Sequence, residues 1–106
     1  MESEFCVVLV TAPNLNEGRK IARKLVEEKL AACVNLIPQI ESFYWWDGKF
    51  EDTEEVLLVA KTVRKRMDKV EAAVKATHSY IIPEVIALPI SEGSAPYLNW
   101  LRENVQ

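Results

Sequence analysis

Three apolar runs, Phe5 to Val10 (FCVVLV), Val56 to Ala60 (VLLVA) and Val85 to Ile90 (VIALPI), lack any alternation of polar and apolar residues. A strand with one wet face alternates with a period of two, so these runs predict strands that are dry on both faces. Between them a helical period takes over. Ile21 with Leu25, and Ala22 with Val26, form an apolar stripe, while Arg19, Lys20, Arg23, Lys24, Glu27 and Glu28 fill the other side. This predicts an amphipathic helix from about Leu15, with Asn14 as its cap and Glu17, three residues on, as a capping-box acid. A second helix is predicted from Val63, Met67, Val70 and Val74, with Thr62 as its cap. A third follows Gly93 or Ser94, with Ala95 and Pro96 in its first turn and Tyr97, Leu98, Trp100 and Leu101 as a broad apolar face.

From Cys33 the chain changes to β-formers, Val34, Leu36, Ile37 and Ile40, then Phe43-Tyr44-Trp45-Trp46 and the pair Asp47-Gly48. Asp-Gly supplies the positive φ angles of a two-residue turn, so two long antiparallel strands should meet there. Pro38 forces a bend or an edge position, Pro83 blocks further helix, and Pro89 limits the pairing of the last strand. The order strand, helix, strand, strand, helix, strand, plus a terminal helix, is the split βαβ arrangement of an α+β, ferredoxin-like domain. Both crossover helices then lie on one side of the sheet and the opposite side is open. Because the residues expected there are still Val, Leu, Ile, Phe or Cys, the pattern predicts self-association: a few hundred Å² of wet apolar surface costs several kcal/mol at about 25 cal/mol per Å².

Composition narrows the function classes. The 106 residues, 49% of them hydrophobic, suit one domain spanning 1–106. A net charge of −3 offers no general attraction to nucleic acid or to an anionic membrane. No apolar run approaches the ~20 residues of a membrane helix, and the acidic start MESEF lacks the basic and apolar regions of a signal peptide. Cys6 and Cys33 sit in apolar contexts without a disulfide framework, which predicts reduced thiols and a cytoplasmic location.

Few residues offer chemistry. Tyr44, Trp45 and Trp46 beside the turn are candidates for a subunit interface, where large aromatics are enriched, or for a stacking site. Stacking on nucleic acid wants basic neighbours, and here they are Glu41, Asp47, Glu51 and Asp52 with Lys49 alone cationic. His78, the single histidine, is either a cation at a helix C-terminus or a metal ligand. No HxxxH, CxxC or HxH accompanies it, so a metal site would need Cys33 and Glu84 brought in by the fold, or ligands shared between subunits. A nucleophilic Cys33–His78 pair is the enzymatic alternative. Gly18, Gly48 and Gly93 form no phosphate-binding loop.

The segments Thr11-Ala12-Pro13, LVEEKLAACVNLIP (25–38), SFYWWDGK (42–49), Glu55 to Thr62, HSYIIPE (78–84) and YLNWL (97–101) resemble the CutA divalent-cation tolerance family from Val7 to Leu101. The resemblance implies a ferredoxin-like fold assembled as a homotrimer with an architecture similar to the PII signalling proteins. It implies no catalytic reaction. Members are associated with copper and divalent-cation tolerance, with metal binding, and in animals with acetylcholinesterase anchoring. The copper site of some members uses a cysteine near the end of strand one and two histidines after the second helix; the matching positions here are Val10, Thr77 and His78. The expectation is therefore a non-enzymatic cytoplasmic homotrimer. Its intersubunit cleft, lined by Cys33, Lys61, His78, Tyr80 and Glu84, would hold copper, zinc or another divalent cation, with His78, Cys33 and Glu84 as ligands. A PII-like small-ligand sensor or a protein-anchoring module is the alternative.

Overall fold

The computed structural model describes residues 3–106. The chain runs β1 (Phe5–Ala12), α1 (Leu15–Glu27), β2 (Cys33–Trp46), β3 (Lys49–Val63), a 3-10 turn (Arg64–Arg66), α2 (Met67–Thr77), β4 (Val85–Pro89) and α3 (Ala95–Glu103). One antiparallel sheet has the order β2-β3-β1-β4, the split βαβ topology with its two edges at β2 and β4. Asp47 (φ 52°) and Gly48 (φ 74°) both adopt positive φ and turn the chain between β2 and β3. That is the type I′ geometry Asp-Gly favours, because its twist matches that of the strands. The Pro38 bend is also present: the β2–β3 register shifts between Ile37 and Ile40. Proline has no N–H for the ladder, so the strand bulges and then resumes pairing as far as Trp46.

Alternation along β1 separates two packed layers. Cys6, Val8, Val10 and Ala12 face Ile21 and Leu25 of α1 and Val70, Ala73 and Val74 of α2, forming the main core. Phe5, in register with Val63, points the other way and packs with Leu101 and Leu98 of α3. Thus α3 lies on the face opposite α1 and α2. The open side is open only beyond α3, where Val7, Leu9, Leu57 and Val59 are half-buried and Ile86 and Leu88 are about half exposed, at 49% and 48%.

Two predicted capping residues, Thr62 and Glu17, behave differently from expectation. Thr62 does not cap α2; it stays in β3 and its hydroxyl donates to the Leu30 carbonyl at 2.6 Å. Pairing with β1 continues through Phe5–Val63, so Val63 is spent on the sheet and α2 begins only at Met67. Asn14 does cap α1, its Oδ1 accepting the Glu17 N–H at 2.9 Å. Glu17, however, does not reach back to Asn14, because its carboxylate is engaged elsewhere.

Candidate functional site: an acidic cleft at the end of β1

Beyond the reach of α3, the open face ends at Thr11 of β1 and Glu55 of β3. Glu55 alternates with Leu57 and Val59 and so shares their side, yet it is only 6% exposed. Its cover is the segment between α2 and β4. Tyr80 Oη donates to Glu55 Oε2 at 2.8 Å, and Ile81, Ile82 and Glu84 follow it around a cleft of about 580 Å³. The turn end of the hairpin, through Ser42, Phe43, Tyr44 and Trp46, closes the other side.

The 78–84 segment is anchored by contacts remote in sequence. Glu17 Oε2 accepts the Ser79 N–H (2.8 Å) and the Ser79 hydroxyl (3.0 Å), tying the segment to α1. At the C-cap of α2 the backbone leaves the helix (φ −81°, ψ 140°) and turns the His78 ring inward, where its side chain is fully buried. His78 Nε2 lies 2.7 Å from the Thr11 carbonyl oxygen. A carbonyl only accepts, which assigns the proton to Nε2. Nδ1 then accepts the Tyr80 N–H at 3.1 Å, with Glu17 Oε2 3.2 Å away, and the ring packs on Tyr80 at 4.7 Å between centroids. His78 is therefore not a solvated helix-end cation. One ring nitrogen holds the Thr11 carbonyl and the other the Tyr80 N–H, and neither offers a lone pair to the cleft.

The electrostatics of the cleft are set by its carboxylates. Burial, and then the neighbouring Glu55 charge, push the Glu84 carboxyl above the usual glutamate value. The Tyr80 phenol is pushed up by burial first and by its bond to Glu55 second, so at neutral pH it remains a donor.

Of the residues predicted for a site, Tyr80, Glu84 and His78 meet at this end. Cys33 and Lys61 do not. They face each other across β2 and β3 in the row of Val7, whereas Thr11 pairs with Leu57, four residues or roughly 13 Å further along β3. There the Lys61 ammonium donates to Asn35 Oδ1, the Cys33 thiol lies 3.8 Å from the same oxygen, and Tyr97 of α3 stands beside the sulfur. Within one protomer Cys33 is thus too far from His78 to form a nucleophilic pair, and among the described residues no three His, Cys, Asp or Glu side chains converge as a metal site. Tyr44 and Trp46 line the cleft, and the Tyr44 oxygen accepts from the Thr53 hydroxyl at 3.3 Å. Trp45 stands 74% exposed on the hairpin against Phe50. Three residues escaped sequence reasoning: Glu55, Thr11 and Glu17. For Glu55 the signal was available, a carboxylate two residues before Leu57 and hence on the same dry face. For Glu17 the local capping pattern pointed to a different partner.

The described geometry has known counterparts. The family model for the CutA1 divalent ion tolerance protein matches residues 6–104. A curated relative, the divalent-cation tolerance protein CutA of Thermus thermophilus, is 50% identical over 98 residues, which cover 92% of this chain and 95% of that protein. The chloroplastic protein CutA 1 of Oryza sativa subsp. japonica is 49% identical over 94% of this chain, which spans only 56% of that longer protein. Among solved structures, the protein described as the periplasmic divalent cation tolerance protein CutA of Archaeoglobus fulgidus superposes with a TM-score of 0.93 at 42% identity, covering 96% of this chain and 99% of that one.

Proposed function

The chain belongs to the CutA1 divalent ion tolerance family, and from that premise we propose that it acts without catalysis, as a homotrimer holding a divalent metal ion at the carboxylate end of the cleft. The observation that carries this reading is the placement of Glu55 and Glu84 in one partly enclosed cleft, where the charge of one already disfavours ionisation of the other. A dication relieves that repulsion. The donors are hard oxygens, from the two carboxylates and the Thr11 and Ser42 hydroxyls, which suit manganese, magnesium or zinc better than the soft copper(I). In this reading Glu84 keeps the ligand role expected of it, Glu55 joins it, and His78 becomes a positioning residue. Cys33 would take part only if a neighbouring protomer carried it to the cleft.

Support for the trimer comes from apolar groups that a lone protomer leaves wet: Trp45, Ile81 (91% exposed) and Ile82 (69%), beside an edge strand carrying Ile86 and Leu88. Edges of this kind pair with another chain when nothing covers them. Two free cysteines, Cys6 and Cys33, support a reducing compartment, the cytoplasm. The Archaeoglobus relative is described as periplasmic, so recovery of this protein in a periplasmic fraction would overturn the assignment.

Titration calorimetry with manganese, zinc and copper tests the metal reading. Glu84→Gln and Glu55→Gln should each weaken the preferred ion by at least roughly 10-fold, the loss typical of a metal site's supporting residues. Unchanged affinity in both variants, or no heat with any of the ions, refutes it. Sedimentation at micromolar dilution tests the assembly, which a folded particle of one subunit's mass would refute.

A further inference from the structure

The cleft is larger and more apolar than a metal ion requires. A water molecule in the liquid takes up about 30 Å³, so a cleft of about 580 Å³ has room for a small organic molecule beside any ion. Its walls are Phe43, Tyr44, Trp46, Ile81 and Ile82, and its negative charges are confined to Glu55 and Glu84. Apolar and aromatic surface with a few convergent polar groups is the composition of a small-molecule site. Among the residues lining the cleft none is Lys, Arg or His, so every full charge facing a ligand is negative. A carboxylate or phosphate ligand would be repelled there, and a neutral one would leave the carboxylates uncompensated.

We propose that this cleft binds an organic ammonium ion, its charged nitrogen between Glu55 and Glu84 and its hydrocarbon against Trp46, Phe43 and Ile82. The carboxylates supply the ion pair, and the aromatic faces add cation–π attraction in a partly desolvated setting. Tyr80 orients the site by fixing Glu55 Oε2 through its hydroxyl, which leaves the other carboxylate oxygen for the ligand. The proposal shares with the metal reading the role of Glu55 and Glu84 as the charged end of the cleft, but it does not require that a metal be bound.

The test uses the metal-free full chain and three probes: phenethylammonium, 1,4-diaminobutane, and 2-phenylethanol as the neutral isostere of the first. Binding is followed by calorimetry and tryptophan fluorescence. The expected result is saturable binding of phenethylammonium with a change in tryptophan emission, and at least roughly tenfold weaker binding of the alcohol. Glu84→Gln should weaken the ammonium and leave the alcohol unchanged; Trp46→Leu should weaken both. Circular dichroism of each variant confirms that it is folded. Equal affinity for the amine and the alcohol overturns the proposal, as does absence of ammonium binding to the folded wild type. Metal heat that is lost in Glu84→Gln while no amine binds overturns the ammonium site and leaves the metal reading intact. Amine binding without metal heat has the opposite meaning.

Discussion

Replacing His78 with alanine separates a structural imidazole from a solvated one. The ring is fully buried, donates from Nε2 to the Thr11 carbonyl at 2.7 Å, and accepts the Tyr80 N–H at Nδ1. Alanine leaves the Thr11 carbonyl, inside the buried end of β1, without its donor, a desolvation loss of about 1–3 kcal/mol. Loss of the ring contact with Tyr80 adds about 0.5–1.5 kcal/mol. Together these come to roughly 1.5–4.5 kcal/mol, a large part of a domain stability of about 5–15 kcal/mol. A surface cation at a helix end would contribute only about 0.3–1 kcal/mol, and salt would screen it. Guanidinium unfolding of wild type and His78→Ala at one fixed protein concentration measures the difference, the concentration being held because oligomers gain stability by mass action. His78→Gln, whose amide nitrogen can still donate to Thr11, should recover part of the loss. A change below about 1 kcal/mol, or no advantage of glutamine over alanine, would show that the Thr11 contact does not hold the segment.

Gly48→Ala should destabilise by about 1–2 kcal/mol. At φ +74° a side chain is strained, while nothing lies within 4 Å of the added Cβ, so a loss in thermal or denaturant melts isolates backbone strain at the turn. The Glu84 carboxyl titrates above the ordinary glutamate value in the fold, so its contribution to stability is present below the unfolded value and is lost as pH rises through the folded one. Relative to wild type, Glu84→Gln should therefore gain stability as pH rises above about 4.3, the ordinary glutamate value, and a difference that stays flat or runs the other way across urea melts would refute the burial of that charge.

The sheet, the hairpin and two of the three helix starts were legible because each depends on near neighbours. Asp47-Gly48 determines its own turn, and Asn14 and Ser94 cap their helices by accepting N–H groups three residues on. The misreadings arose where one residue had two possible partners. Glu17 satisfies a capping pattern locally but is taken by Ser79, 62 positions away. Val63 fits the period of α2 yet is claimed by Phe5 across the sheet. The cleft was half legible for the same reason. Tyr80 and Glu84 stand close together in a conspicuous segment, whereas Glu55 comes from β3 and Thr11 from β1, and only the register of the folded sheet places them opposite. His78 was noticed for its chemistry, but its burial depends on the chain turning inward after α2, which no periodicity encodes.

The distribution of exposed apolar groups refines how protomers of the proposed trimer would meet. Two-sided hydrophobic strands alone suggest a partner laid flat on the open face. In the fold, α3 covers one end of that face and Tyr80 the other, and Val7, Leu9, Leu57 and Val59 between them are already half-buried. The more exposed groups lie at the margins: Trp45 on the hairpin, Ile81 and Ile82 in the loop, Ile86 and Leu88 on edge strand β4. The greater hydrophobic gain therefore comes from contact along the edges, where unpaired backbone groups of β2 and β4 can also find partners. The cleft lies at the same margin, since Trp46, Ile81 and Ile82 are among its walls. Assembly along these edges would bring a neighbour against the mouth of the cleft and strengthen every electrostatic contact inside it by excluding water. Ligand affinity should then fall when dilution separates the protomers, which ties the binding reading and the assembly reading to one surface.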